Sequence, residues 1–441
     1  MRHDSRGVPV SAGRAQSLES YELALRQFQS YVGDAVATLD AALAEDPEFV
    51  SGHLAKALIL YTMGERKYVP VVESALAEAT ARANAANERE CTLMQSLRQL
   101  IDGQWDAACR TLDRVLIEHP RDALALQTGH LLDFYRGDAL NLRNRVTRVL
   151  PHWDVAVPGY SYVLGMHAFG LEEMNQYAQA EAQAERALSL EPKDGWAVHA
   201  ATHVMEMQGR VADGVRWLTS READWAPDNG FAFHNWWHLA LFHLDGAHYA
   251  QALELFDRTI HPERSPILLS LVDATALLWR LYLEGVDVGR RFEDVADEWE
   301  AQLAAEAGFY AFNDVHAAMA FAATGRDRSL SVVREALQAA ARGHDVPAMM
   351  ARDVGLPLTA GVGAFAQGKY RQAIDHIEPM RDIANRFGGS HAQRDAITLT
   401  LIEASIRCGD KPRARHFLAE RQVLKSAGTR WGERLTVRIS Q

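Results

Sequence analysis

The feature that most limits what this chain can fold into is a short signature that recurs along it. A turn residue, usually Gly, is followed two positions later by an aromatic and three after that by Ala. It reads Gly103-Gln-Trp105-Asp-Ala-Ala108, Asn175-Gln-Tyr177-Ala-Gln-Ala180, Ala247-His-Tyr249-Ala-Gln-Ala252 and Gly368-Lys-Tyr370-Arg-Gln-Ala373. Weaker copies stand at Gly64, Gly137, Gly209, Gly285, Gly325 and Gly409, and successive anchors lie 34 to 43 residues apart. Between anchors the apolar residues recur at three and four, as in Trp105, Ala108, Leu112, Val115 and Leu116, which is the stripe of an amphipathic helix. The stripes stop at His119-Pro120, Glu191-Pro192 and Asp46-Pro47, because Pro cannot continue a helix. Each repeat therefore predicts two antiparallel helices. The small Ala lets them approach, and the aromatic packs where the turn closes.

Repeats of this length bury their apolar faces only by stacking on one another, and no segment alternates with period two as a strand would. The expected fold is all-α: a tetratricopeptide (TPR)-like α-solenoid of about nine or ten helical hairpins in a right-handed superhelix. Residues 1–16, with three Arg, a Pro and no apolar core, read as a flexible N-terminus, and residues 17–441 as one domain. Repeats longer than 34 residues imply inserted loops, the clearest at His261-Pro-Glu-Arg-Ser-Pro266.

Composition narrows the function. Lys and Arg number 46 against 58 Asp and Glu, a net charge of −12, with no basic face to neutralise phosphates or anionic lipid. Nucleic acid and membrane are therefore not expected as partners. No apolar run approaches the length of a transmembrane helix. Cys91, Cys109 and Cys408 are widely spaced and odd in number, which fits a reducing, cytoplasmic setting without disulfides.

Several strings are more specific than a repeat consensus because they fix polar residues that stacking does not need. They include Asp46-Pro-Glu-Phe-Val-Ser-Gly-His53, Gly165-Met-His-Ala-Phe-Gly-Leu-Glu-Glu173, Trp196-Ala-Val-His-Ala-Ala-Thr-His203-Val-Met-Glu206, Phe233-His-Asn-Trp-Trp-His238 and Asp273-Ala-Thr-Ala-Leu-Leu-Trp-Arg280. Together they resemble the tetratricopeptide repeat protein 38 family, from about Tyr21 to the last repeat. The resemblance implies a single-domain, cytosolic, TPR-like α-solenoid and carries no reaction with it. His167 departs from the pattern, where an apolar residue is expected.

The chemistry-bearing residues are the histidines, 18 in all, which cluster by helix face. His199, His203 and Glu206 fall at i, i+4 and i+7 on one first helix, and His234 and His238 repeat the i, i+4 spacing 35 residues later. Two imidazoles one turn apart can share an ion, and a carboxylate completes a nitrogen and oxygen set for Zn, Fe or Mn. His199, His203, Glu206, His234 and His238 are thus the expected ligands of a divalent metal. Glu206 and His203 are the candidate acid–base pair of a metal-dependent hydrolase. His53, Trp196, Trp236, Trp237, Asp273, Arg280 and His316 are expected to line the same concave pocket, which would take a small molecule or a peptide end. Two other readings stand beside this one. The histidines could be hydrogen-bonded polar residues that fix helix register, or the chain could be a non-catalytic scaffold that grips a segment of a partner protein.

Overall fold

The computed structural model describes residues 2–263, 267–425 and 429–441. Its contacts fall into two units, Met1–Ala201 with Ala223–Phe231 and Thr202–Glu222 with Ala232–Gln441. The first unit pairs Ala15–Ser30 with Ala35–Glu45, Val50–Tyr61 with Val69–Ala81, Glu88–Ile101 with Trp105–Glu118, Ala123–Tyr135 with Ala139–Val149, and Tyr160–Glu173 with Tyr177–Leu190. The second pairs Ala232–Asp245 with Tyr249–Leu255, Leu268–Leu283 with Arg291–Glu306, Ala311–Ala323 with Asp327–Ala340, Leu356–Ala366 with Tyr370–Ile377, and His391–Arg407 with Lys411–Leu424, and ends in Arg430–Ser440. Helix Gly195–Met207 runs through the division at Ala201, and Val211–Ser220 follows it in the second unit. The fold is all-α and TPR-like, as the repeat predicts.

Every one of the ten repeat anchors adopts a left-handed backbone, with φ between +57° and +77°. After nine of the ten the next residue closes the helix end by donating to the carbonyl five residues back, as in Gln104 to Gln99 at 2.8 Å, Arg210 to Met205 at 2.8 Å and Lys369 to Ala364 at 2.9 Å. That closure satisfies carbonyls at the helix end and requires a left-handed residue, for which Gly carries no Cβ penalty. Asn175 and Ala247 occupy the position without being Gly. Ala247→Gly is therefore expected to stabilise the second unit by about 1 kcal/mol, seen as a higher urea midpoint at unchanged slope. A lower midpoint would contradict this account of the repeat.

The small repeat residues Ala108, Ala180, Ala252 and Ala373 are all fully buried. Of the aromatics expected in the core, only Trp105 is buried, its indole N–H donating to the Tyr61 hydroxyl at 2.8 Å. Tyr177, Tyr249 and Tyr370 are half-exposed because a phenol keeps its hydroxyl at a polar partner; Tyr249 donates to Glu284 at 2.7 Å. The helices outnumber nine or ten hairpins because connections carry short turns of their own, such as Glu222–Trp225 and Val346–Met350. Of the expected insertion at 261–266, residues 264–266 lie outside the described residues.

Residues before the first helix form a small hairpin, Arg2–His3 against Pro9–Val10. Asp4 accepts from the backbone N–H of Arg6 and Val8, while Ser11 donates to Glu90 from both its N–H and its hydroxyl. Val8 and Val10 are buried. Among the described residues no helix is long and apolar enough to cross a membrane.

Candidate metal centre

Three of the expected histidines meet in the second unit. His203 comes from helix Gly195–Met207, and His234 and His238 from Ala232–Asp245. Their i, i+4 spacing puts His234 and His238 on one stripe, which faces the stripe that holds His203 and Glu206. The His203 and His238 rings lie 4.4 Å apart between centroids, and those of His234 and His238 4.9 Å apart. One ring nitrogen from each of the three falls within 4.8 Å of the others. His203 and His238 are 0% exposed, so they are interior and do not line an open groove as the repeat geometry predicted.

Each of the two histidines on Ala232–Asp245 is held from behind by a carboxylate. Nδ1 of His238 lies 2.8 Å from Glu206 Oε2, and Nδ1 of His234 lies 2.6 Å from Asp273 Oδ2. An ionised carboxylate only accepts, so each Nδ1 donates, and the lone pair is left on Nε2. The second oxygen of Glu206 takes a bond from Lys425 Nζ at 2.7 Å. Burial pushes the Glu206 carboxyl up, but Lys425 and His238 outweigh it and hold the group well below the ordinary carboxylate range. Burial lowers His203 well below the usual histidine value, and the neighbouring His238 adds to this. Burial lowers His238 too, against the pull of Glu206. His203 and His238 are therefore held as neutral imidazoles, which is the protonation state a metal needs.

Trp237, fully buried, stacks on His234 at 5.3 Å and meets His238 edge-on at 4.9 Å. Beneath it lies the Arg280 guanidinium, 5.4 Å from the indole centroid. Trp236, its neighbour in sequence, is half-exposed. His316 is buried with Nδ1 2.8 Å from the Phe312 carbonyl, which suits a neutral core histidine. His53, in the first unit, bonds the Pro47 carbonyl at 2.9 Å in the same way. Both rings thus bond a backbone carbonyl of their own segment and not a carboxylate. In the first unit His199 packs among Phe169, Trp196 and Phe231 at about 5 Å, one turn before His203 on their shared helix. Trp196 is further enclosed by Tyr31 and His130.

The residues the sequence did not disclose come from the last hairpin. Lys425 reaches Glu206 across 219 positions and lies 3.8 Å from Asp395, which Arg421 clamps with two bonds of 2.7 and 2.8 Å. Glu206, Arg280, Asp395, Lys425 and Trp431 line a recess with about 330 Å³ of empty space, part of it open to solvent.

No family model matches the chain. Among solved structures, a monomeric mutant of IFIT1 with Gppp-AAAA aligns over 95% of this chain and 99% of its own, at 15% identity and a TM-score of 0.41. Yeast Tom70 aligns over 96% of this chain and 86% of its own, at 12% identity and a TM-score of 0.34. These likenesses concern the helical fold alone. By its hairpins the chain is a TPR-like helical-repeat protein, and its second unit holds a buried histidine cluster.

Proposed function

We propose that His203, His234 and His238 hold one divalent transition metal, Zn, Fe or Mn, and that the protein uses it to bind and hydrolyse a small molecule or a peptide end. The observation that carries this reading is the pair of carboxylate–imidazole bonds, Glu206 to His238 and Asp273 to His234, whose rings converge with a third imidazole. Carboxylates behind metal-bound histidines fix the ring and its tautomer and raise its donor strength. A core histidine that served only packing, such as His316, is satisfied by a backbone carbonyl instead.

In this reading Glu206 orients His238 and does not bind the ion, since Lys425 and His238 occupy its two oxygens. His203 is a ligand and not an acid–base catalyst. A bound ion with three protein ligands supplies a Lewis acid and an activated water. We also place the chain in the tetratricopeptide repeat protein 38 family on the strings that resemble it.

The test is metal content. His238→Ala and His234→Ala are expected to take bound metal from about one equivalent to below about 0.1, with the helical circular-dichroism signal kept. Glu206→Gln should weaken affinity by about 10–100-fold. Full metal content in His238→Ala would overturn the assignment.

A further inference from the structure

The recess beside the cluster is lined by a buried guanidinium that no carboxylate among the described residues contacts. The recess is walled by Glu206, Asp245, Asp395, Arg280 and Lys425, with Trp431 at its rim and apolar Leu241 and Phe242 behind. Two of its carboxylates are paired with cations, and the third is held by backbone N–H groups. Glu206 has Lys425 and His238, Asp395 has Arg421, and Asp245 accepts the backbone N–H groups of Arg430 and Trp431 at 3.2 and 3.3 Å.

Arg280 is not matched. It is 1% exposed, yet among the described residues no carboxylate lies within 4.0 Å of its guanidinium. Its donors go to backbone carbonyls: Nη1 to Ala276 at 2.9 Å, and Nη2 to Ala392 at 2.6 Å and Gln393 at 3.2 Å. Burying a guanidinium without a carboxylate in contact is costly: burial lowers its pKa against the upward pull of Asp395, Glu206 and Asp273 at longer range. Three carbonyls fix the fork in place and leave it donors to spare. The recess has room for about one water, the size of one anion oxygen. Asp273 and Arg280 are seven residues apart on Leu268–Leu283, two turns along one helix face, so the helix that holds His234 from behind also carries the unmatched cation.

We propose that this recess is an oxyanion site, in which Arg280, assisted by Lys425, receives a carboxylate or phosphoryl group of the ligand whose chemistry takes place at the neighbouring histidines. The anion supplies the direct contact that the nearby carboxylates do not make, and the planar fork suits its geometry. The substrate class of the metal reading, on which only the link to chemistry rests, is thereby narrowed to acidic small molecules or a peptide carboxyl end.

The experiment titrates inorganic phosphate and, separately, acetate into the full chain by calorimetry, with metal-loaded and chelator-treated protein, and repeats it on Arg280→Met and Arg280→Lys. Wild type is expected to bind at least one of the two saturably. The loss in Arg280→Met should be about tenfold or more, at unchanged metal content, and Arg280→Lys should fall between. Preference for phosphate or for acetate separates the phosphoryl from the carboxylate source. If neither probe saturates wild type, or if Arg280→Met titrates as wild type does, the proposal is overturned. Should both variants fail to fold, a crystal structure of wild type grown in phosphate decides: an anion on Arg280 supports the site, and an anion only elsewhere defeats it. Anion binding that persists in protein unable to hold metal would defeat the metal reading and leave this site standing.

Discussion

Replacing Arg89 by Met is expected to cost about 3–5 kcal/mol, the largest single loss of stability in the first unit. Arg89 and Asp122 are each 1% exposed in their side chains, with Nε 2.5 Å from Oδ2. The guanidinium also donates to the Tyr21 hydroxyl at 3.0 Å and to the Pro9 carbonyl at 3.3 Å, so it ties the N-terminal hairpin and the first helix to the third hairpin. Removing it strands a buried carboxylate that itself caps helix Ala123–Tyr135 through the Ala125 N–H. Desolvation of that lone charge, more than the lost contact, sets the size of the effect. Arg89→Met with Asp122→Asn should recover most of the loss, because the amide keeps the cap and carries no charge. A urea series on both variants checks this; a single-variant loss under about 1 kcal/mol would contradict it.

Acid is expected to destabilise the chain through two buried histidines, His130 and His316. Burial takes His130 down to about 3, against a smaller upward pull from the Leu142 backbone. Burial likewise takes His316 down to about 4, against its bond to the Phe312 carbonyl. Both are neutral in the folded chain, and unfolding returns each to its ordinary value of 6.5. Below that pH the unfolded chain binds protons that the folded chain refuses. Stability is therefore fully present above about pH 6.5 and is lost as pH falls towards 4, at about 1.4 kcal/mol per pH unit for each ring. Between pH 6.5 and 5 the two together remove about 4 kcal/mol. Denaturant midpoints of metal-free protein at pH 7.5, 6 and 5 should fall in that order. His316→Phe should flatten the dependence, and midpoints that stay level would rule the explanation out.

How much of this was legible in the sequence depends on the range of the interaction. The repeat anchors were readable because a left-handed turn is a local demand, met by Gly at most positions, and all ten adopt it. The meeting of His203 with His234 and His238 was readable because helix periodicity and a repeated 35-residue offset place them on facing stripes. The role of Glu206 was not. Spacing put it on the His203 stripe, but its bond goes to His238 on the next hairpin and its charge is matched by Lys425, which no local pattern connects to it. The half-exposed tyrosines show the same limit, since a repeat position fixes where a ring starts and its hydroxyl partner fixes where it ends. His53 and His316 shared the helix position of the cluster residues, yet each bonds a backbone carbonyl of its own segment, Pro47 and Phe312, a choice that helix position alone does not reveal.

The central claim is that the imidazoles of His203, His234 and His238 in the second unit form a place for one ion. Elemental analysis of the purified full chain, as isolated and after stripping and reloading with Zn, Fe or Mn, tests it most directly. The expected result is about one equivalent of a single transition metal per chain, released by chelator and lost in His203→Ala. Less than about 0.2 equivalents of every metal after reloading would contradict it and leave the cluster as a buried polar core.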